Sequence, residues 1–361
     1  MWIITPVELS KRERVERTCR LETADRVPFV PAIYEHKAAL IGRSPSEVCR
    51  SSELLYQSLR RELAVYDPDM LVAGIDVYNV EAEAIGCRVV YFDDSNDCPA
   101  IVEPLVVRPS DLDRLRLPEP EADGRMPLYL EAAGALAREL GGRMIIRGAV
   151  TGPCSMAAQL AGGEAFLLAT LEEPEFARKL MEFCAQATVR FGQAFVRRGV
   201  EPIIFDSRAT PRLASPRVFR EMIKPAYRDL VVPQLKEAGA RMIPLIIGGN
   251  TTAVIDDLIE TGATQLLCDH GASLERFREK CAAARVPFRA NVDPVLVNRG
   301  PADAVYREAL RILDACRGQP GFLLGCGVVA YDTPPEHVLA IRRAIEDRAA
   351  DSADSADRSL R

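Results

Sequence analysis

The sequence predicts an α/β protein, specifically a (β/α)8 TIM barrel, from three observations. Eight short apolar segments recur along the 361 residues, helical patterns lie between them, and several segments lack the alternation of a strand with one wet face. Parallel strands covered on both sides read this way, because each crossover helix lies over the sheet. A doubly wound sheet is the rival. It usually closes with fewer strands and carries a glycine fingerprint after the first, whereas here VPFVPAI is followed by YEHKAALIG.

The predicted strands are, in order, VPFVPAI (27–33), DMLVAGI (69–75), MIIRGAV (144–150), PIIFD (202–206), MIPLII (242–247), TQLLCD (264–269), VPFRAN (286–291) and GFLLGC (321–326). After the second, VYNVEAEAIGCRVVYFDDSNDCP (77–99) predicts a short β insertion over the mouth, and LRLPEPEADGRMP (115–127) reads as a surface loop. Ser215 followed by Pro216 has the form of an N-cap with proline at the first helical position. Residues 1–348 are expected to form one barrel domain. The tail AADSADSADRSLR (349–361) has little apolar material and is expected to be disordered.

Composition narrows the function. Hydrophobic residues make up 48% and charged residues 27%, the balance of a globular protein with a large core. The formal charge is -6, with both signs interspersed, which argues against nucleic acid or an anionic membrane as partner. The apolar opening MWIITPV is too short for a signal peptide, and no window reaches the length of a membrane span. Ten cysteines without a CxxC pair favour reduced thiols and a cytoplasmic location.

In such a barrel, catalytic groups sit at the C-terminal ends of strands. Asp76 follows the second strand, as an anion for a cationic intermediate or as the partner of an arginine, with Tyr78 close by to touch substrate. Asp206 and Arg208 flank Ser207 after the fourth, where they can neutralise each other and meet a polar ligand. Gly248 and Gly249 let a ligand approach the backbone, Asn250 can donate and accept hydrogen bonds, and Thr251 or Thr252 can cap the next helix. His270 after Asp269, and His36 in EHK, are candidate acid–base groups. Asn291 is placed to contact ligand, Asp293 to cap a helix at Pro294, and Cys326 to act as a ligand or as a small residue in a tight mouth. The three histidines show no HxxxH or HExxH spacing.

DRVP (25–28), EAEAIGCRVVYF (81–92), TGPCSMAAQLAGG (151–163), IIFDSRA (203–209), GGNTT (248–252), NVDP (291–294) and GCGVVAYDTPPEHV (325–338) are individually modest, but their order and spacing are specific. On these the chain resembles the uroporphyrinogen decarboxylase superfamily over about residues 10 to 345, closer to its corrinoid-dependent methyltransferase branch. In the decarboxylase branch the catalytic aspartate precedes a glycine by about ten residues, as Asp76 precedes Gly86. The family's arginine-rich carboxylate cradle, however, falls on Glu35 to Ala39, a pocket tyrosine on Gln159, and a late histidine on Cys326. In the methyltransferase branch, zinc is held by a His-x-Cys pair and a later cysteine. The pair falls on Ile246 and Gly248, and only Cys326 remains, as a lone family ligand.

The resemblance therefore implies an enzyme without the usual zinc–thiol site and with no tightly bound cofactor. It implies a methyltransferase working with a corrinoid carried on a partner protein, on a small-molecule substrate that needs no thiolate activation, such as a reduced pterin nitrogen. The alternatives are a metal-independent decarboxylase of a porphyrinogen or other carboxylate, and a non-catalytic ligand-binding barrel. Family barrels often pair, so a homodimer is compatible with this reading.

Overall fold

The structure, a computed structural model, describes residues 8–359; the apolar opening at 1–7 therefore lies outside the described residues. Its strands are β1 (Met70–Ala73), β2 (Val89–Val90), β3 (Ala100–Ile101), β4 (Ile145–Thr151), β5 (Glu201–Phe205), β6 (Pro244–Ile246), β7 (Gln265–Cys268), β8 (Phe288–Val292) and β9 (Phe322–Cys326). Seven of them form one parallel sheet in the order β1-β4-β5-β6-β7-β8-β9. The sheet's registers run from Met70 opposite Ile145 to Val292 opposite Cys326. β2 and β3 pair antiparallel in the insertion after β1.

The expected closed eight-stranded TIM barrel is corrected by this topology. The sheet is an open, curled half-barrel of seven strands, and the segment 27–33 is not an eighth. Its residues touch β9 and the loop beyond only through isolated bridges, Phe29 with Leu324 and Ala32 with Val328. On the other edge a single backbone–backbone bond, from the Asp69 N–H to the Phe29 carbonyl, reaches toward β1, and the Phe29 N–H donates to the Asp69 side chain instead of to a strand. The reason is in the residues: Pro28 and Pro31 have no N–H to give, so a continuous ladder cannot form along VPFVPAI. Gly325 allows what contact there is. A Cβ at that position would lie 2.2 Å from the Val30 carbonyl oxygen.

The helices bend as well. Ser215 caps its helix by accepting from the Val218 N–H, as expected. The segment then widens into π-helical turns at Phe219–Ile223 and Ala226–Val231, on either side of Pro225, which lacks the N–H of a regular turn. Helices Pro153–Ala161 and Gly163–Glu172 meet at an angle of 107°. The last helix runs Pro335–Ser359 and so continues through most of the tail that its composition leaves unstructured. No single helix among the described residues is long and apolar enough to cross a membrane.

The inside of the curl is layered. Val30, Met70, Ile145 and Leu323 pack together at one end, and Ala149, Phe205, Ile246 and Leu267 at the other, with Tyr34 among them. On β4 the inward positions are every second residue, so Arg147 lies between Ile145 and Ala149. Helix Pro174–Val196 covers the outside with Leu180, Phe191 and Phe195, all fully buried. The strands' C-terminal ends, beyond the second layer, enclose the site.

Candidate functional site

A cavity of about 390 Å³ opens at the C-terminal edge of the sheet. Asp76 and Tyr78 come from the turn after β1, Ser207 from the turn after β5, and Gly248 from that after β6. Asp269 follows β7, while Arg289 and Asn291 lie on β8. Tyr34, Glu35, Asn79 and Gln159 complete its polar lining, and Phe205, Ile246 and Leu267 form an apolar floor.

Asp76 faces the cavity, but its charge is already engaged. Its Oδ2 accepts from Arg125 Nη2 at 2.8 Å and its Oδ1 from Asn79 Nδ2 at 2.7 Å. Burial pushes its pKa up, against the pull of Arg125 and Asn79. Gln159 donates to Asn79 Oδ1 at 2.9 Å, extending the network along the wall. Tyr78 joins Ser207 across the cavity at 2.6 Å.

Asp269 anchors the other wall. Its Oδ2 accepts from the Gly249 N–H at 2.7 Å and its Oδ1 from Asn291 Nδ2 at 2.9 Å. Burial raises its pKa, but these donors and nearby His270 outweigh that and hold it below the ordinary carboxylate value. Gly249 reaches Asp269 with φ at +80°, a conformation that favours glycine. Gly248 leaves space beside the same carboxylate: a Cβ there would stand 3.5 Å from Asp269 Oδ2. Glu35 forms no ion pair among the described residues, and burial raises its pKa.

Asp76, Tyr78, Gly248 and Asn291 are thus brought together, with Gly249 held just behind. Other expected site residues lie elsewhere. Asp206 is fully buried and accepts from Tyr227 Oη at 2.6 Å, the Ser155 N–H at 2.6 Å and the Cys154 N–H at 3.3 Å. It makes no pair with Arg208, whose exposed side chain borders a hollow with Gly163, Leu167 and Leu213. His36 is 2% exposed and fixed between Tyr66 Oη and the Ala330 and Tyr331 carbonyls, outside the cavity lining. His270 is exposed, 3.5 Å from Asp269 Oδ1. Asn250 is exposed and accepts from the Thr252 N–H, forming a local turn. Neither Thr251 nor Thr252 caps the next helix: Thr251 Oγ1 has no partner among the described residues, and Thr252 Oγ1 accepts from the Ser273 N–H. Asp293 does cap, accepting from the Val295 N–H at 2.8 Å.

The positions do not fit the zinc site of the family branch that the sequence resembles. Ile246 and Gly248 offer no ligand atom, and Cys326 is fully buried with its thiol pushed up to about 11 by burial. No group of three or more His, Cys, Asp or Glu side chains among the described residues is arranged to hold a metal ion.

The sequence reading missed Arg289, Tyr34, Asn79 and Arg125. For Arg289 a signal was present, a charge inside the apolar strand VPFRAN, where every second side chain must point inward. Arg125 lies inside the segment 115–127 that reads as a surface loop, and nothing local marks its reach back to Asp76.

The uroporphyrinogen decarboxylase (URO-D) family model matches residues 10–348. The chain belongs to that family. Within it, the chain is 26% identical over 331 residues to methylcobamide:CoM methyltransferase MtbA of Methanosarcina acetivorans, covering 90% of this chain and 94% of that one. It is 28% identical over 300 residues to a uroporphyrinogen decarboxylase of Syntrophotalea carbinolica, covering 81% and 83%. A solved structure titled as a methyltransferase from Methanosarcina mazei superposes with a TM-score of 0.83, at 22% identity and over 94% of this chain and 99% of that one. That similarity establishes a shared fold.

Proposed function

We propose that this URO-D family member transfers a methyl group between a corrinoid carried by a separate protein and a small molecule held in the cavity. The observation that carries the reading is the balance of charge in a small space. The lining of about 390 Å³ has three carboxylates, Glu35, Asp76 and Asp269, and one cation, Arg289. A porphyrinogen with several carboxylates needs several cations, because each desolvated carboxylate is costly unless paired. A small acceptor with at most one negative charge suits this lining. The cavity is also too small to enclose a corrin macrocycle, which supports a carrier that docks at the open edge.

The corrinoid supplies the methyl group; the chain's own residues hold the acceptor and manage its proton. Tyr78 and Ser207, together with Asn291, orient the acceptor, and orientation alone is a large part of such catalysis. When X–H becomes X–CH3, a proton must leave. Glu35 is the cavity carboxylate without an ion pair, and its raised pKa makes it a better base than an ordinary surface glutamate. All ten cysteines are free, which supports a reducing, cytoplasmic setting.

The test is to incubate the purified chain with methylcobalamin and a panel of small acceptors, following the cobalamin absorption change and product mass. Acceptor-dependent demethylation that falls sharply in Glu35→Gln supports the proposal. Release of CO₂ from a porphyrinogen, with no demethylation by any acceptor, would replace it with the decarboxylase reading.

A further inference from the structure

Two groups in the cavity lack the partners that burial normally demands. Arg289 is 6% exposed, yet it makes no hydrogen bond or ion pair among the described residues, and its Nε is one of the buried atoms left without an acceptor. A second uncompensated cation sits nearby: Arg147 is fully buried and donates to the sulfurs of Met70 at 3.1 Å and Met242 at 3.4 Å. Uncompensated buried charge is costly. The lining carboxylates do not relieve it: Asp76 is held by Arg125 and Asp269 by Gly249 and Asn291, while Glu35, raised toward its neutral form by burial, makes no ion pair with Arg289.

Asn291 supplies the second vacancy. Its Nδ2 donates to Asp269, while its buried Oδ1 has no partner among the described residues. Asp269 is a pure acceptor when ionised, so turning the amide over would set oxygen against oxygen. The unmatched atom is therefore an acceptor in need of a donor. Arg289 and Asn291 are two apart on β8, share one face, and are separated by about 7 Å along the strand, with Asn291 nearer the open edge.

We infer that the cavity takes a small carboxylate carrying a hydroxyl or amine a few bonds from its carboxyl group. Arg289 binds the carboxylate at the inner end, and Asn291 Oδ1 accepts from the hydroxyl or amine. This inference rests on the proposed methyl transfer only in making that outer group the methyl acceptor, nearest the edge where the carrier docks. Guanidinium suits the inner end because it presents a planar pair of donors to a carboxylate.

The full chain, without corrinoid, is titrated calorimetrically with 4-hydroxybutyrate, butyrate and 1,4-butanediol. The expected result is that 4-hydroxybutyrate binds about tenfold more tightly than butyrate, with the diol weaker than either. Arg289→Gln should weaken both acids by about tenfold or more, whereas Asn291→Ala should abolish only the preference for the hydroxyl. Equal binding of diol and acids, undiminished acid binding in Arg289→Gln, or no binding of either acid to the folded wild type would overturn the inference. If Arg289→Gln does not fold, the wild-type contrast between acid and diol decides. Binding needs no turnover, so the two failures are distinguishable. Acid binding without methyl transfer sinks the proposed function alone, and methyl transfer to a neutral acceptor sinks this inference alone.

Discussion

Two strand ends of this molecule look alike in sequence and are used in opposite ways. After β5, Asp206 and Arg208 flank a serine; around β7 and β8, Asp269 is followed by Arg289 and Asn291. The first aspartate is saturated by Tyr227 and by two amides at the start of helix Pro153–Ala161, so it fastens that helix to the sheet. The second is saturated too, but its surroundings are not: among the described residues its partner Asn291 keeps a bare oxygen, and Arg289 nearby makes no hydrogen bond or ion pair. What separates a structural cluster from a binding one here is unspent hydrogen-bonding capacity facing a cavity.

The largest test of that contrast is Asp206→Ala. It would leave a tyrosine hydroxyl and two amides unsatisfied inside the protein, at a cost of roughly 3–5 kcal/mol in unfolding free energy. Denaturant unfolding would show the loss as a lower midpoint. If stability is unchanged while substrate affinity collapses, the cluster has been assigned the wrong job. Arg289→Met should behave in the opposite way. Removing an uncompensated cation should leave stability level or raise it by about 1 kcal/mol, while kcat/KM for methyl transfer falls roughly 100-fold. Parallel melting and rate measurements on the same preparation would expose a variant that fails on both counts.

This contrast also marks how far the sequence could be read. Seven of the eight expected strands are present because apolar runs bounded by turn residues specify buried parallel strands locally. The eighth failed on Pro28 and Pro31, residues visible in the sequence whose missing N–H groups were outweighed by the apolar pattern. At the site, Asp76, Tyr78, Gly248 and Asn291 were legible because strand ends are where such folds place ligands. His36 was not, since its burial against Tyr66 depends on contacts 30 residues along the chain and on carbonyls near its far end. Arg289 stood in plain view inside a strand but reads as functional only once the absence of a counter-charge is known.

Glu81 lies between the two extremes and gives a smaller, pH-dependent effect. It is 1% exposed, accepts from the Thr151 N–H and lies 2.7 Å from Thr151 Oγ1, with no ion pair among the described residues. Burial lifts its pKa from 4.5 to about 7. The folded state therefore holds a proton that the unfolded state has released between those values, and stability from this group declines as pH rises across that window. Glu81→Gln removes the penalty. Its amide can donate to Thr151 Oγ1, whose own proton already goes to the Val77 carbonyl. The variant should match wild type at about pH 5 and exceed it by roughly 1–2 kcal/mol at about pH 8. Thermal melts across that range would reveal it. A constant difference at every pH would mean that Glu81 does not titrate there.

Arg208→Ala should have the smallest effect, and it sharpens the comparison because its position after Asp206 invites a functional role. The side chain is exposed and forms no ion pair or hydrogen bond among the described residues, while the bond its residue does make, from the backbone N–H to Ser155 Oγ at 3.1 Å, survives the substitution. Stability should stay within about 0.5 kcal/mol of wild type, and kcat/KM for a small acceptor should stay within about twofold. The hollow it borders holds Leu168, Leu171 and Leu213, all partly open to solvent, so the guanidinium lies at the rim of an apolar surface outside the cavity. A kcat/KM that drops tenfold with free methylcobalamin would place Arg208 in the chemistry and return the β5 end to the active site. If the drop appeared only with a protein-bound corrinoid, the residue would act at the docking edge, and the division between the two strand ends would stand.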